Sequence, residues 1–276
     1  MERGKTGKPT LRQARLSSVA NAMRLAKAFS DEQFEMGISV LAARLGLAKS
    51  TVHRLAATLV AQDILEQNRE TGKYRPGLAL FELGMLVRRK MDAAAEASAS
   101  MMALRDSTGE TVQLAIFDRS SVLYTRIFES RQAVRMSVQV GTRAPAHCTG
   151  VGKALLAFQG GPVVREVVAA GLARFTDNTI IDPEVFEAEL ALVRARGHAI
   201  DDEESETGLR CIAAPIRDDS GSVVAAIGVS APVQRMSKKA LQACVPTVTA
   251  AGEAISRRLG FVPAGPGVRP VSRSAA

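Results

Sequence analysis

Aromatic residues and cysteines are scarce in this chain of 276 residues. It contains no tryptophan and only 4% aromatic residues, so its packed cores must be built from Ala, Val, Leu and Ile. Proteins that bind single-stranded nucleic acid usually stack the bases on aromatic side chains, and we therefore do not expect that mode of binding. The three cysteines, Cys148, Cys211 and Cys244, form no CxxC pair. This spacing suits a reducing compartment.

Long apolar runs and the common catalytic motifs are also missing. No apolar run reaches the roughly 18 residues that a membrane-spanning helix needs, and the N-terminus, MERGKTGKPT, lacks the apolar segment of a signal peptide. We therefore expect a cytoplasmic protein with no membrane association. The sequence has no HExxH, no GxSxG, no phosphate-binding loop and no dinucleotide fingerprint, which argues against an enzyme.

The charge of +8 is distributed unevenly along the chain. Residues 1–90 contain 16 Lys or Arg and 8 Asp or Glu, whereas residues 91–276 contain 20 of each kind. A locally basic region attracts polyanions and is the expected electrostatic feature of a DNA-binding domain. A membrane surface would also attract it, but no basic amphipathic helix with bulky aromatics is present.

Within this basic region, the residues from Ser39 to Leu65 predict two short helices joined by a tight turn at Gly46. The second helix has an apolar stripe, and its other face carries short hydroxyls and an arginine, which are side chains that contact phosphates and base edges. Predicted strands at residues 64–66 and 73–75 would form the hairpin of a winged helix-turn-helix. The alternative is an ordinary pair of packed helices followed by a solvated loop. The predicted DNA contacts are Lys49, Ser50, Thr51, His53, Arg54, Arg69 and Lys73.

The first third of the chain is expected to end in a linker helix. We predict a disordered basic tail at residues 1–15, a DNA-binding domain at 16–77 and a linker helix at 78–97. Ser17 or Ser18 is expected to cap the first helix, which would run to about residue 29. The linker would pack against its copy in a dimer through a stripe formed by Leu80, Leu83, Met85 and Leu86.

Residues 98–260 predict an α+β domain with a mostly antiparallel sheet, followed by a disordered tail at 261–276. Its segments alternate between strand and helix periodicity. Strands are predicted at Glu110–Asp118, Val122–Phe128, Val134–Val140, Arg210–Arg217 and Ser222–Ser230. Helices are predicted at Thr149–Phe158, from Asp182-Pro183 to Gly197, and from Ser237 to Leu259 with an interruption near Pro246.

Three segments of the sequence resemble the IclR family of bacterial transcriptional regulators. They read LAARLGLAKSTVHRLAATL, HCTGVGKALLA and GHAIDDEESETGLRCIAAPIRDDSGSVVAAIGVSAP, and the resemblance runs from about Ser17 to Gly260. It implies a winged helix-turn-helix, a linker helix and a C-terminal GAF-like effector-binding domain. It also implies dimers or tetramers on palindromic operators and a small organic acid as effector. The family contains repressors and activators, so the direction of regulation is not implied.

The resemblance also implies an effector site. Thr149, Gly150 and Val151 would open a helix, where free N–H groups favour a carboxylate. Asp201 would bind a ligand hydroxyl or hydrate, since an aspartate repels an anion. Where some members carry a serine, this chain has Gly228, so we expect more space and a different or bulkier ligand. The predicted effector-binding residues are Thr149, Gly150, Val151, Asp201, Cys211 and Ser230.

Other interpretations of the same residues stay open. The adjacent His147 and Cys148 lack an evident orienting partner for nucleophilic catalysis, and the cysteines are more often small buried hydrophobes. No cofactor is expected, although zinc is possible at His147, Cys148, Cys211 and Asp201 because some relatives hold zinc. The acidic segment 201–204 is either a solvated loop or the site of a metal-dependent hydrolase. A nucleoid-type DNA binder without an effector is a third possibility.

Overall fold

The structure, a computed structural model, describes residues 11–30, 32–89, 92–136 and 138–262. The chain divides into two compact units, residues 1–90 and residues 91–276. Most of the two predicted disordered tails lies outside the described residues. No helix among the described residues is long and apolar enough to cross a membrane.

The first unit is a winged helix-turn-helix, as predicted. The turn after the second helix is made at Gly46, whose φ of 66° is the left-handed conformation that glycine adopts without strain. A small apolar core lies between the helices and the hairpin and includes Leu41, Val52 and Tyr74. The elements are α1 (Leu11–Ala26), α2 (Ile38–Leu45), α3 (Lys49–Val60), α4 (Leu78–Arg89) and the antiparallel strands β1 (Leu65–Gln67) and β2 (Tyr74–Pro76).

Two boundaries in this part of the chain differ from the sequence prediction. Helix α1 begins at Leu11, so Ser17 and Ser18 lie inside the helix rather than at its start. The predicted linker range, residues 78–97, contains α4 and the beginning of a separate helix, α5 (Asp92–Thr108), which belongs to the second unit.

The second unit is built on a six-stranded sheet in which all neighbouring strands are antiparallel, which confirms the predicted α+β class. The strand order is β5-β4-β3-β8-β7-β6. The strands are β3 (Thr111–Asp118), β4 (Ser121–Phe128), β5 (Arg143–Pro145), β6 (Ala199–Asp202), β7 (Leu209–Arg217) and β8 (Val223–Pro232). The remaining helices are α6 (Gly150–Leu156), α7 (Gly161–Ala169), α8 (Pro183–Arg196) and α9 (Lys238–Arg258).

Both faces of this sheet are covered by helices. Side chains on one face, such as Val112, pack with residues of α5 and α9. Those on the other face, such as Ala115, pack with residues of α6, α7 and α8. Apolar residues therefore occur at both alternating positions of the central strands, as is expected for a strand buried on both sides.

The predicted strand at 134–140 is wrong for the residues that the structure describes. Strand β4 pairs instead with β5, and the N–H of Gly141 donates to the carbonyl of Tyr124 at 2.8 Å. Gly141 has a φ of 90°, and we infer that this turn directs the preceding segment away from the ladder. The alternating valines at the two ends, Val134 and Val140, are 68% and 62% exposed.

The predicted interruption at Pro246 is also wrong, since α9 runs through this residue. A proline inside a helix removes one backbone hydrogen bond, which normally favours a kink or break. The buried side chains of Leu241 and Val248 anchor α9 on both sides of the proline. Tertiary packing therefore outweighs the local cost.

Helix α7 and strand β6 had no counterpart in the sequence prediction.

Candidate functional site

Helix α3 buries one face and exposes the residues predicted to contact DNA. Its apolar stripe, which includes Val52 and Leu59, packs into the core of the first unit. The N-cap residue Ala48 makes no side-chain capping bond, so N–H groups of the first turn are left for an anion. Lys49, Ser50, His53 and Arg54 are exposed, and Thr51 is half-buried.

The hairpin places two more predicted contacts at the surface. Between β1 and β2, the Asn68 side chain accepts from the N–H groups of Glu70 at 2.9 Å and Thr71 at 3.3 Å, which fixes the turn. Arg69 and Lys73 are exposed in this turn.

Some Lys and Arg side chains of α3 and the hairpin have a carboxylate partner and others do not. Arg75 on β2 pairs with Glu66 on β1, with 2.9 Å between Nη2 and Oε1. Among the described residues, no ion pair involves the predicted DNA contacts Lys49, Arg54, Arg69 or Lys73. Exposed cations without a carboxylate partner are suited to neutralising the phosphates of a nucleic acid.

In the second unit, strand register brings distant polar residues into one row. Thr111 lies opposite Ser230, Ser230 opposite Cys211, and Cys211 opposite Asp201. Directly opposite residues point to the same face of a sheet, so these four side chains form a polar row across β3, β8, β7 and β6. Each is at most 4% exposed.

The start of α6 lies against this polar row. Thr149 caps the helix, because its hydroxyl accepts from the N–H of Gly152 at 3.3 Å while donating to the carbonyl of Pro145 at 2.8 Å. A Cβ atom on Gly150 would lie 2.9 Å from the sulfur of Cys211, so only glycine allows this approach. The fold therefore brings together the six predicted effector-binding residues: Thr149, Gly150, Val151, Asp201, Cys211 and Ser230.

The expectation of extra space at Gly228 is wrong. A Cβ atom there would lie 2.9 Å from Cγ1 of Val151 and 3.0 Å from the Gln113 amide nitrogen. The volume that a serine side chain would occupy is therefore filled by Val151 and Gln113. Val151 of α6 therefore packs directly over Gly228.

Gln113 and Tyr124 belong to this region but were missed by the sequence analysis. The Gln113 amide lies 2.6 Å from the Ser230 hydroxyl. With its oxygen turned toward Ser230, the amide nitrogen donates to the carbonyls of Thr111 and Gly228 at 3.2 and 3.3 Å. Tyr124 pairs with Ala115 on the same face, and burial raises the pKa of its phenol. For Gln113, the sequence did offer a signal, because a polar glutamine at an inward-facing position of a predicted strand indicates a buried polar site.

Behind the polar row lies a buried ion pair that the sequence also did not reveal. Lys153 on α6 is 1% exposed and pairs closely with Glu204, while Glu189 lies 3.7 Å from the same ammonium group. Burial raises the pKa of Glu204 to about 7. Its Oε2 atom has no hydrogen-bond partner among the described residues.

The acidic segment 201–204 is not a solvated loop throughout. Asp201 is 1% exposed, and its carboxylate accepts from the N–H of Glu204 at 2.7 Å and the hydroxyl of Ser205 at 2.6 Å. Burial raises the pKa of Asp201, and these hydrogen bonds oppose the rise. Asp202 and Glu203 both pair with Arg210.

Comparison with known proteins identifies the family. A profile for "Bacterial transcriptional regulator IclR C-terminal" matches residues 85–257, and one for the "IclR helix-turn-helix domain" matches residues 18–69. This chain belongs to the IclR family. It is therefore a DNA-binding transcriptional regulator with an effector-binding C-terminal domain, and its family is one of regulators rather than enzymes.

Three similar proteins are informative. The regulator KdgR of Escherichia coli (strain K12) is 34% identical over 247 residues, which cover 89% of this chain and 94% of KdgR. The transcriptional repressor AllR of Klebsiella pneumoniae is 36% identical over 227 residues, with coverages of 82% and 84%. The structure of an IclR homolog complexed with 4-hydroxybenzoate, from Microbacterium hydrocarbonoxydans, matches with a TM-score of 0.79, 29% identity and coverages of 88% and 98%.

The catalytic and metal interpretations gain no support in this IclR-family regulator. Nε2 of His147 lies 2.9 Å from the carbonyl oxygen of Ala173, and burial raises the pKa of Cys148 to about 12, which disfavours the reactive thiolate. The described residues contain no group of three or more His, Cys, Asp or Glu placed to hold a metal ion. Neither the zinc site nor the metal-dependent hydrolase is therefore supported.

Proposed function

We propose that this regulator binds a palindromic double-stranded operator as a dimer or tetramer and responds to a small organic acid. We assign DNA binding to residues 16–77, linkage to 78–97 and effector binding to 98–260. One observation carries the proposal: the predicted DNA contacts lie at the surface of one helix and hairpin, where only Thr51 is half-buried, whereas the predicted effector residues converge on one buried row.

In the proposed DNA complex, α3 lies in the major groove. Ser50, Thr51 and Arg54 sit near its start, where base contacts of such helices concentrate. Lys49 and His53 would contact phosphates beside the groove, and the hairpin residues Arg69 and Lys73 would contact phosphates farther along.

We expect a palindromic operator because two copies of the chain would pair through α4. Helix α4 exposes Phe81, Leu83 and Leu86 at 66%, 53% and 57%. Burial of such side chains against a second α4 would stabilise a dimer, and a two-fold dimer presents two α3 helices to two half-sites.

In the proposed effector complex, the ligand lies between the start of α6 and the polar row. Its carboxylate would accept from the N–H groups of Gly150 and Val151, and a ligand hydroxyl would bond to Asp201 and Ser230. The 4-hydroxybenzoate held by the Microbacterium homolog has both groups, which supports this ligand class. Because Gly150 contacts Cys211 so closely, ligand entry requires α6 to move from β7.

We propose that this movement of α6 is the basis of the response. A ligand can change DNA affinity only if it binds two arrangements of the protein with different affinities, and the two positions of α6 would be these arrangements. The name of the relative AllR supports repression as the direction of control.

The proposal is tested by titrating an operator, selected from random duplexes, with and without 4-hydroxybenzoate and related acids. We expect an effective acid to change wild-type operator affinity by about tenfold, within the usual range of allosteric coupling. Ser230→Ala and Asp201→Asn should reduce this response while leaving ligand-free affinity near that of the wild type. Asparagine is chosen at 201 because it retains an oxygen for the N–H of Glu204.

Ser222→Ala, a change in the exposed turn before β8, is the matched control and should respond normally. An unchanged response in both Ser230→Ala and Asp201→Asn would contradict the proposed effector site. Failure of the wild type to select any duplex would contradict operator binding itself.

A further inference from the structure

A cavity of about 450 Å³ lies at the edge of the large sheet, away from the polar row. The ladder between β6 and β7 ends where Ala199 pairs with Ala213, and no other strand of the described residues pairs with the rest of β7 on that side. Ala214 and Pro215 from this free edge line the cavity, together with residues of α8 and α9. The size is within the range of small-molecule sites, about 300–1,000 Å³. None of the six predicted effector-binding residues is among its lining residues.

Arg217, the last residue of β7, provides a half-buried cation in this cavity. Its guanidinium carbon lies over two aromatic rings, 4.5 Å from the ring centre of Phe158 and 5.8 Å from that of Phe261. Nη1 donates to the carbonyl of Gly221 at 2.9 Å. Burial lowers the pKa of Arg217. Among the described residues, no carboxylate lies within ion-pair distance of this group.

Two further arginines line the same cavity. Arg194 on α8 donates to the carbonyl of Ala157 at 2.9 Å and, within the described part of the chain, has no carboxylate partner. Arg257 on α9 has one partner, Glu253, at 3.6 Å. Among the described residues, the cavity lining therefore combines three guanidinium groups with a single carboxylate, and this excess of positive charge favours an anion.

The remaining lining residues determine what kind of anion fits. Phe158, Phe261, Ala214 and Pro215 provide apolar surface beside the arginines. Guanidinium groups bind carboxylates through paired hydrogen bonds, and the apolar walls favour a ligand with a hydrophobic body. Addition of a peptide strand to the free edge is disfavoured because Pro215 lacks the N–H that a ladder needs.

We propose that this edge cavity is a second ligand site that binds a small organic carboxylate with a flat apolar body. The carboxylate is held by Arg217 and Arg194, and the apolar body lies against Phe158 and Pro215. The site is separate from the proposed effector site at the polar row and does not depend on it.

The test is calorimetric titration of the full chain with benzoate, with benzamide as the neutral match and inorganic phosphate as the anion without an apolar body. Arg217→Gln and Arg194→Gln should each weaken the benzoate affinity of this site by about tenfold or more, as expected for loss of a charge-assisted hydrogen bond. Arg194 is exposed, so its substitution tests the site even if Arg217→Gln fails to fold. The matched control is Arg119→Gln, an exposed arginine in the β3–β4 turn.

Support requires benzoate binding that depends on both cavity arginines, persists in Arg119→Gln and Ser230→Ala, and exceeds the binding of benzamide and phosphate. Retention of all benzoate binding in Arg194→Gln would overturn the proposal. Equal binding of benzamide would overturn the anionic character of the site, and equal arginine-dependent binding of phosphate would overturn its apolar half. Loss of all benzoate binding in Ser230→Ala would place that binding at the polar row and overturn the second site.

Discussion

The two units use polar side chains in opposite ways. In the first unit, the predicted DNA contacts other than the half-buried Thr51 are exposed, and their four Lys and Arg side chains have no ion-pair partner among the described residues. In the second unit, the polar row and the pair of Lys153 with Glu204 are buried and hydrogen-bonded or ion-paired. Exposed charges act over a distance on a polyanion and contribute little to stability, whereas buried polar groups depend on fixed partners.

This difference separates the expected effects of substitution. Changes on α3 and the hairpin should reduce DNA affinity and leave folding nearly unchanged. Changes around the polar row should first affect the stability of the second unit, because each group there supports its neighbours.

Alanine at two helical glycines, one in each unit, should give the largest contrast. A Cβ on Gly152 in α6 would lie 2.2 Å from the carbonyl oxygen of Ala146, whereas one on Gly84 in α4 would meet no atom of the described residues within 4 Å. Gly152→Ala should therefore lower the free energy of unfolding by about 3 kcal/mol or more, at the upper end of overpacking costs. Gly84→Ala should raise it by roughly 0.5–1 kcal/mol. Denaturant unfolding of the full chain measures both.

Similar stability losses in the two variants would contradict this contrast. A well-folded Gly152→Ala protein would show that α6 and the backbone at Ala146 move apart at little cost.

Removing cations should give intermediate effects on DNA binding. Arg54→Ala should weaken operator binding by about 1–3 kcal/mol if the side chain contacts a base. Lys73→Ala should weaken binding to all sequences alike and flatten the salt dependence by about one unit for one lost phosphate contact. Fluorescence anisotropy at several salt concentrations, on specific and random duplexes, distinguishes the two.

Arg119→Ala removes the same charge from an exposed turn of the second unit and is the control. Equal losses from Arg54→Ala and Arg119→Ala would show that net charge, rather than the α3 surface, accounts for binding.

The last contrast concerns the pH dependence of stability. The pKa of Glu204 is raised from 4.5 to about 7 by burial, so the folded chain binds this proton more tightly than the unfolded chain. The resulting stabilisation is complete below pH 4.5 and is lost as the pH rises through about 7. Glu204→Gln cannot titrate, so its unfolding free energy relative to the wild type should rise over this interval. Parallel pH profiles of unfolding for the two proteins would be inconsistent with a raised pKa at Glu204.

Much of the fold could be predicted from the sequence because its signals are local. The apolar stripe of α3, the glycine after α2 and the Asp182-Pro183 start of α8 each act over a few residues, and the structure has all three. The basic excess of residues 1–90 also follows from composition alone. The winged helix-turn-helix, the α+β class and the family were predicted correctly for this reason.

Tertiary structure decided the features that depend on residues far apart in the chain. Strand register created the polar row, since Thr111, Cys211 and Ser230 become neighbours only when β3, β8 and β7 pair. Packing of α6 buried Lys153 beside Glu204 and filled the space above Gly228. Packing on both sides of Pro246 carried α9 through a residue that locally favours a break. The physical reason is the same in each case: local propensities act within a few residues, whereas burial and pairing depend on which distant surfaces meet.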